Sequence, residues 1–362
     1  MRTKLMLLTP TMNGGGAQRV LVNLLHSFDR GRIDPVLVAA SLTGPLAGQL
    51  PADAEAEDLG VARVRHVMPK LLGAINRRRP DVILSTFERM NFALLAARPF
   101  FRRRAKLVIR EVNLPSKTVA LLPPSRQRLY RMLYRKLYPR ADRIIAQSER
   151  MKEEIVAYTG VRPEKVVTIH NPIDARAIAE LAGERNPFPE GPGKHVAAVG
   201  RLEFQKGFDL LIRAFRAFLE REPESHLHLL GEGSLREELS RLAVSLGIGE
   251  RVHFPGFRKN PYPYMKHADL FVLSSRFEGF PNVLLEALAC GANIVAADCP
   301  SGPREILTRP EYGLLVPAGC PERLAEGMLL GCGGTPGREG FVRAMDYDSS
   351  VITGKYEEVL IG

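Results

Sequence analysis

The sequence predicts an α/β protein built from two doubly wound parallel sheets, and three observations carry that prediction. Short apolar runs rich in β-branched residues alternate with stretches of helical period from the first residues onward. The runs lack internal polar alternation, as strands buried on both faces of a parallel sheet would. A break rich in proline and glycine splits the 362 residues, 45% of them hydrophobic, into two series, each long enough for a core of its own. The same composition excludes a disordered, collagen-like or low-complexity chain.

The first series opens with a strand at residues 4–9. Val20, Leu21, Leu24, Leu25 and Phe28 follow at helical spacing, then a strand at 36–40, which makes a β-α-β unit. Further strands are expected at 81–85, 107–110, 143–147 and 166–169. The hinge is placed at residues 171–193, where GERNPFPEGPG crowds prolines and glycines. The second series puts strands at 196–199, 227–230, 252–254, 270–274, 294–297 and 314–316, with helices between them. This gives a first domain over 1–172 and a second over 173–345. A last amphipathic stretch, 351–361, follows the glycine-rich 331–340, and its periodicity allows it either to end the second domain or to cross back to the first.

Cys290, Cys299, Cys320 and Cys332 form no C-x-x-C pair, and no histidines stand at metal-ligand spacing, so neither a disulfide framework nor a zinc site is expected. The run at 4–9 is too short for a signal segment and no apolar stretch approaches 18 residues, which predicts a cytoplasmic protein. The net charge of +11 is unevenly spread: 30 basic against 14 acidic residues through Pro172, then 21 against 26. A basic first half suits an anionic membrane, a phosphorylated substrate or nucleic acid.

Doubly wound sheets bind ligands outside the carboxyl ends of their strands, so chemistry is sought in the loops that follow strands. After the first strand, Gly14, Gly15 and Gly16 stand before a helix, where a backbone without Cβ atoms can approach an anion or simply turn tightly. The second series begins with Gly200-Arg201-Leu202-Glu203-Phe204-Gln205-Lys206-Gly207, a planar cationic fork and a mobile point charge suited to a diphosphate. Further on, Ser274 to Glu286 runs from a strand into a helix that Pro281 can start at its first position. Carboxylates at Glu278 and Glu286 suit sugar and ribose hydroxyls, and the amides of Val283 and Leu284 could hold phosphate. The bland alternatives are surface cations, a capping Glu278 and an exposed helical Glu286.

Together these segments resemble the signature of the family 4 glycosyltransferases of the GT-B fold, in which two Rossmann-like domains face a central cleft. Gly231-Glu232-Gly233, the stretch from His170 to Asp174 and the stretch from Asp298 to Glu305 extend the resemblance over nearly the whole chain. The resemblance implies that Arg201 and Lys206 neutralise the diphosphate of a nucleotide sugar, Glu278 holds its sugar and Glu286 its ribose. Gly200 with Gly279, Phe280, Pro281, Asn282, Val283 and Leu284 would line the donor. Gly231, Gly233, Phe257 and Arg258 would border the base, and Gly15 and Gly16 would reach the diphosphate from the other domain. It also implies retention of configuration and a last helix returned to the first domain. Arg201, Lys206 and the helix amides could stabilise a departing diphosphate by themselves, so no metal cofactor is expected. Many relatives carry a histidine after the strand at 107–110, whereas this chain reads Arg110-Glu111-Val112-Asn113 and resembles a Ser-Glu-Arg-Asn subgroup. Glu111 and Asn113 then become candidates to face the reacting carbon, against a strand-end salt bridge and turn as the plain alternative. A Glu111 acting as general base would instead permit inversion.

The basic half would take the acceptor. Arg102, Arg103 and Arg104, and then Arg128, Arg131, Arg135 and Lys136, are interleaved with Leu, Met and Tyr at helical spacing, as a segment at a bilayer interface would be. The expected enzyme transfers a sugar, such as a UDP-linked N-acetylhexosamine, to a polyprenyl-diphosphate-linked or other glycolipid acceptor on the inner face of the cell membrane of a bacterium. Its partners would be the nucleotide sugar, that acceptor and the anionic surface, with nucleic acid not favoured. The rival classes are a sugar-nucleotide epimerase of similar fold and a non-catalytic basic nucleotide- or RNA-binding module.

Overall fold

Strand β1 (Thr3–Thr9) shows why the sheets form: Met6 and Leu8 enter one core while Leu5 and Leu7 enter another on the opposite face. A strand covered on both sides has no polar face to display, which is the source of its unbroken apolar run. The structure is a computed structural model describing residues 2–332 and 338–362. It divides into two units, Met1–Pro172 with Ser349–Gly362, and Ile173–Asp348.

The first unit holds β1, β2 (Ile33–Ala39), β3 (Glu55–Asp58), β4 (Val82–Thr86), β5 (Lys106–Arg110), β6 (Arg143–Ala146) and β7 (Val166–Thr168) in the order β3-β2-β1-β4-β5-β6-β7, every pair parallel. The chain reverses its direction of travel between β1 and β4, the switch point at which such sheets open to ligands. The second unit holds β8 (His195–Val199), β9 (His226–Leu230), β10 (Val252–Gly256), β11 (Leu270–Leu273), β12 (Ile294–Asp298) and β13 (Leu314–Pro317) in the order β10-β9-β8-β11-β12-β13, again all parallel. Here too the cores lie on both faces, with Leu270 and Val272 on one side and Phe271 and Leu273 on the other.

The final helix, Ser349–Ile361, belongs to the first unit. Its Ile352, Tyr356 and Leu360 pack beside Leu5, Leu24 and Leu25, and Glu357 bridges to Arg32 at 2.9 Å.

Several expectations need correction. Strand β3 carries no apolar run: its sequence Glu-Ala-Glu-Asp sits at the sheet edge, where only one neighbour supplies hydrogen bonds and water reaches the side chains. The proposed hinge is folded structure, because helix Ala175–Leu181 buries Ala175 and Ile178 in the core of the second unit. The second unit also extends to Asp348, past the expected 345. Pro281 caps the helix Asn282–Ala289 instead of occupying its first turn. Of the glycine-rich stretch, residues 333–337 lie outside the described residues, and helix Arg338–Met345 follows.

Candidate functional site

In the second unit, the loops leaving β8 and β11 are joined by a small polar cluster. Lys206 Nζ donates to Glu278 Oε1 at 2.6 Å, with side-chain exposures of 15% and 7%, so the ion pair is largely shielded from water. Ser275 Oγ donates to the same oxygen at 2.6 Å, and Gln205 Nε2 reaches Glu278 Oε2 at 3.3 Å. Ser274 Oγ binds the Lys206 carbonyl at 2.9 Å. Two glycines make this arrangement possible. A Cβ on Gly200 would stand 3.2–3.3 Å from the methylenes of Lys206, and Gly207, at φ +63°, would bring one within 2.3 Å of the Ser274 carbonyl oxygen.

Around this cluster the expected residues sort themselves. Arg201 is exposed and touches Gln205 at 3.5 Å, one loop turn from Lys206. Glu286 is half-buried on helix Asn282–Ala289. Gly279, Phe280, Pro281 and Asn282 are buried and Val283 half-buried. The Leu284 amide already donates to the Pro281 carbonyl at 2.9 Å, so it is not one of the free phosphate donors expected at that helix start. Glu278 does not cap the helix; its oxygens face Lys206, Ser275 and Gln205. Gly231 and Gly233 have a packing reason of their own, since a Cβ on either would strike the Gly200 or Leu202 carbonyl oxygen within 2.3 Å. Phe257 and Arg258, just past β10, are exposed.

The first unit gathers different chemistry at the ends of β4 and β5. Glu111 is 1% exposed, takes a hydrogen bond from Tyr138 Oη, and receives the Val112 amide at 3.4 Å. Burial pushes its carboxyl up to about 8 against the pull of the tyrosine, and Glu88 adds to the rise. The alternative of a strand-end salt bridge is not met: no cation pairs with Glu111 among the described residues. Arg110, fully buried, turns away to Tyr356 Oη at 3.0 Å and to Asn171 Oδ1 at 2.5 Å. Asn113 is half-buried beyond them. Sequence reading missed Glu88, at the start of helix Glu88–Ala97, whose carboxyl burial also raises. Just before it Phe87, the residue after β4, takes φ +70°, an uncommon conformation for a bulky side chain. Gly15 caps helix Gly16–Ser27 and is half-buried, and Gly16, the first residue of that helix, is exposed.

The basic segment is split by its helix, Pro124–Leu137. Tyr134 and Leu137 on that helix, with Tyr138 just after it, are buried against Phe92 and the first core, and are thus unavailable to a bilayer. The opposite face leaves Leu129 and Met132 exposed among Arg128, Arg131, Arg135 and Lys136, none of them in an ion pair among the described residues. Arg103 is held by Asp81 at 2.8 Å, while Arg102 and Arg104 are exposed beside it. No described helix is long and apolar enough to cross a membrane.

Parallel register also assembles what linear spacing hid. His195 pairs with His226 across strands and His228 with His253; His195 Nδ1 lies 3.1 Å from His228 Nε2, and His226 Nδ1 2.9 Å from His253 Nε2. Burial, then the neighbouring rings, pushes His228 down to about 3. Among the described residues no group of three or more His, Cys, Asp or Glu is arranged to hold a metal ion.

Residues 14–177 match the family model for Glycosyltransferase Family 4, and residues 184–330 match that for Glycosyl transferases group 1. Over 228 residues the chain is 37% identical to the N-acetylgalactosamine-N,N'-diacetylbacillosaminyl-diphospho-undecaprenol 4-alpha-N-acetylgalactosaminyltransferase of Campylobacter jejuni, covering 63% of this chain and 60% of that one. It is 32% identical over 171 residues to the lipopolysaccharide 1,6-galactosyltransferase of Salmonella typhimurium, 46% of each chain. The chain thus spans between 46% and 60% of the length of these curated relatives. The crystal structure of Anabaena HepE in complex with UDP and glucose superposes with a TM-score of 0.80 at 21% identity, over 99% of both chains. With a matching model in each series and two all-parallel α/β units, the chain carries a Glycosyltransferase Family 4 domain followed by a Glycosyl transferases group 1 domain, on the GT-B fold.

Proposed function

We propose that the protein transfers a sugar from a nucleotide diphosphate, a UDP-linked N-acetylhexosamine in the first instance, to a lipid-linked glycan acceptor with retention of configuration. The observation that carries this reading is the shielded Lys206–Glu278 pair at the carboxyl ends of β8 and β11, with Arg201 alongside. A departing diphosphate needs cations already in place, and Arg201 and Lys206 supply them without calling on a metal. Glu278 then accepts sugar hydroxyls and Glu286 those of the ribose, with Gly15 and Gly16 on the diphosphate and Phe257 and Arg258 at the base. A carboxyl held protonated to about pH 8 is a poor proton acceptor at neutrality, so Glu111 is read as orienting the acceptor beside Asn113. This favours a same-face course in which the leaving phosphate takes the acceptor's proton. The lipid acceptor is supported by the Campylobacter relative, whose name specifies a diphospho-undecaprenol substrate.

The exposed face of helix Pro124–Leu137, with Arg102 and Arg104, is assigned to an anionic membrane surface, which makes the protein peripheral. Salt should weaken sedimentation with anionic liposomes, and neutral liposomes should not pellet the protein.

The deciding experiment follows UDP release from UDP-N-acetylglucosamine and UDP-N-acetylgalactosamine, with and without an undecaprenyl-diphosphate-linked glycan, in the unaltered protein and in Lys206→Ala and Glu278→Ala. Acceptor-dependent release that collapses in both variants supports the transferase. Conversion of donor without acceptor indicates an epimerase, and release unchanged by either substitution removes the assigned site.

A further inference from the structure

Arg276 stands two residues before Glu278, and its contacts run to the turn that carries Lys206. Nη1 and Nη2 meet the two carboxylate oxygens of Asp209 at 2.7 Å each, in the first turn of helix Phe208–Phe218. Nη1 also donates to the Phe204 carbonyl at 3.0 Å, and the guanidinium lies 4.2 Å from the centre of the Phe204 ring. The Arg276 backbone amide donates to the Gln205 carbonyl at 2.8 Å, while Gln205 Nε2 returns to the Phe277 carbonyl at 3.1 Å. One planar side chain therefore fastens the turn Phe204–Lys206 to the segment that leads into Glu278, using its fork, its face and its backbone at once.

We propose that Arg276 is a positioning residue: by gripping Asp209 and Phe204 it fixes the separation of Lys206 from Glu278 and aims the lysine at the donor diphosphate. This rests on the donor-site reading given above. Arg276 itself touches no reacting atom. Its removal would let the Phe204–Lys206 turn drift, and a misplacement of about 1 Å at such a site costs on the order of a hundredfold in rate. A lysine at 276 would keep the charge but lose the fork and the ring contact.

The test compares Arg276→Ala, Arg276→Lys and Asp209→Asn for UDP release with acceptor present, for UDP binding by calorimetry, and for melting. In Arg276→Ala, kcat should fall about 10- to 100-fold while donor KM moves less than about threefold. Arg276→Lys should recover little, and added guanidinium ion at low millimolar concentration should restore part of the alanine variant's rate. If Arg276→Ala folds poorly, Arg276→Lys and Asp209→Asn carry the comparison. A kcat kept within twofold in the folded variants, or a loss that follows the melting midpoint and ignores guanidinium, overturns the proposal. Lys206→Ala separates the two levels: a collapse there with Arg276→Ala intact defeats only the positioning role. Normal turnover in Lys206→Ala, or no UDP binding by the unaltered protein, defeats the donor site and this inference with it.

Discussion

Each unit buries a carboxyl at the end of its sheet, and the two are held by opposite means. Glu278 in the second unit has a lysine ammonium, a serine hydroxyl and a glutamine amide on its two oxygens. Glu111 in the first has a tyrosine hydroxyl, one backbone amide and a neighbouring acid, and among the described residues no cation in an ion pair with it. The first arrangement is a shielded ion pair; the second keeps a proton at neutral pH. The same side chain thus serves two chemistries because of what the adjacent strands bring to it.

The largest expected effect lies in breaking the ion pair from one side. Lys206→Met leaves a buried charge without its partner and should cost the second unit about 3–5 kcal/mol, while the double variant Lys206→Met/Glu278→Gln should recover most of that. Denaturant unfolding with peptide-resolved hydrogen exchange reads this out unit by unit, and equal losses in single and double variants would contradict it.

Next in size is the pH response of the first unit. Glu111 moves from its ordinary 4.5 up to about 8, so the folded state binds the extra proton between those values. The stability it contributes is whole below pH 4.5 and is lost as pH rises through about 8. Glu111→Gln, which mimics the protonated acid, should flatten that slope and leave the first unit more stable than the unaltered chain at pH 9. Urea midpoints at pH 5, 7 and 9 that stay parallel for the two proteins would refute the assignment.

The second unit should answer with the opposite sign. His228 is pushed from 6.5 down to about 3, and burial also lowers His226 and His253, with Arg251 and Glu224 beside His226. The stability of the neutral cluster is whole above pH 6.5 and is lost as pH falls through that range. His228→Gln should soften the acid limb of the second unit and leave the first untouched, as exchange at pH 4.5 against pH 7 can show. The smallest effect is expected from Arg128, Arg131, Arg135 and Lys136 changed together to Ser. Exposed cations without ion partners should shift stability by less than about 0.5 kcal/mol, and only anionic liposome binding should drop.

Twelve of the strands could be placed from sequence because a strand covered on both faces must be apolar throughout, and that pattern survives in one dimension. The loops after β8 and β11 stood out for a related reason: glycine and cation spacing within one loop is local. What stayed hidden depends on strand register or on contacts between residues far apart in the chain. The four histidines come from three strands, Arg276 meets Asp209 across 67 positions, and Glu111 finds Tyr138 across 27. Strand β3 was missed because an exposed edge places no apolar demand on Glu55, Glu57 or Asp58. The basic helix was half legible, since composition shows its cations but not that Tyr134 and Leu137 face inward.

The first unit is assembled from both ends of the chain, and this sets an order on its birth at the ribosome. Ile173–Asp348 is one continuous stretch and can close its own core as soon as it has emerged. The earlier-made sheet cannot: Arg110 lacks Tyr356, and the bed under Leu5, Leu24 and Leu25 lies open, until Ser349–Gly362 is translated. The half made first is therefore finished last, and its apolar bed stays uncovered until the final helix arrives.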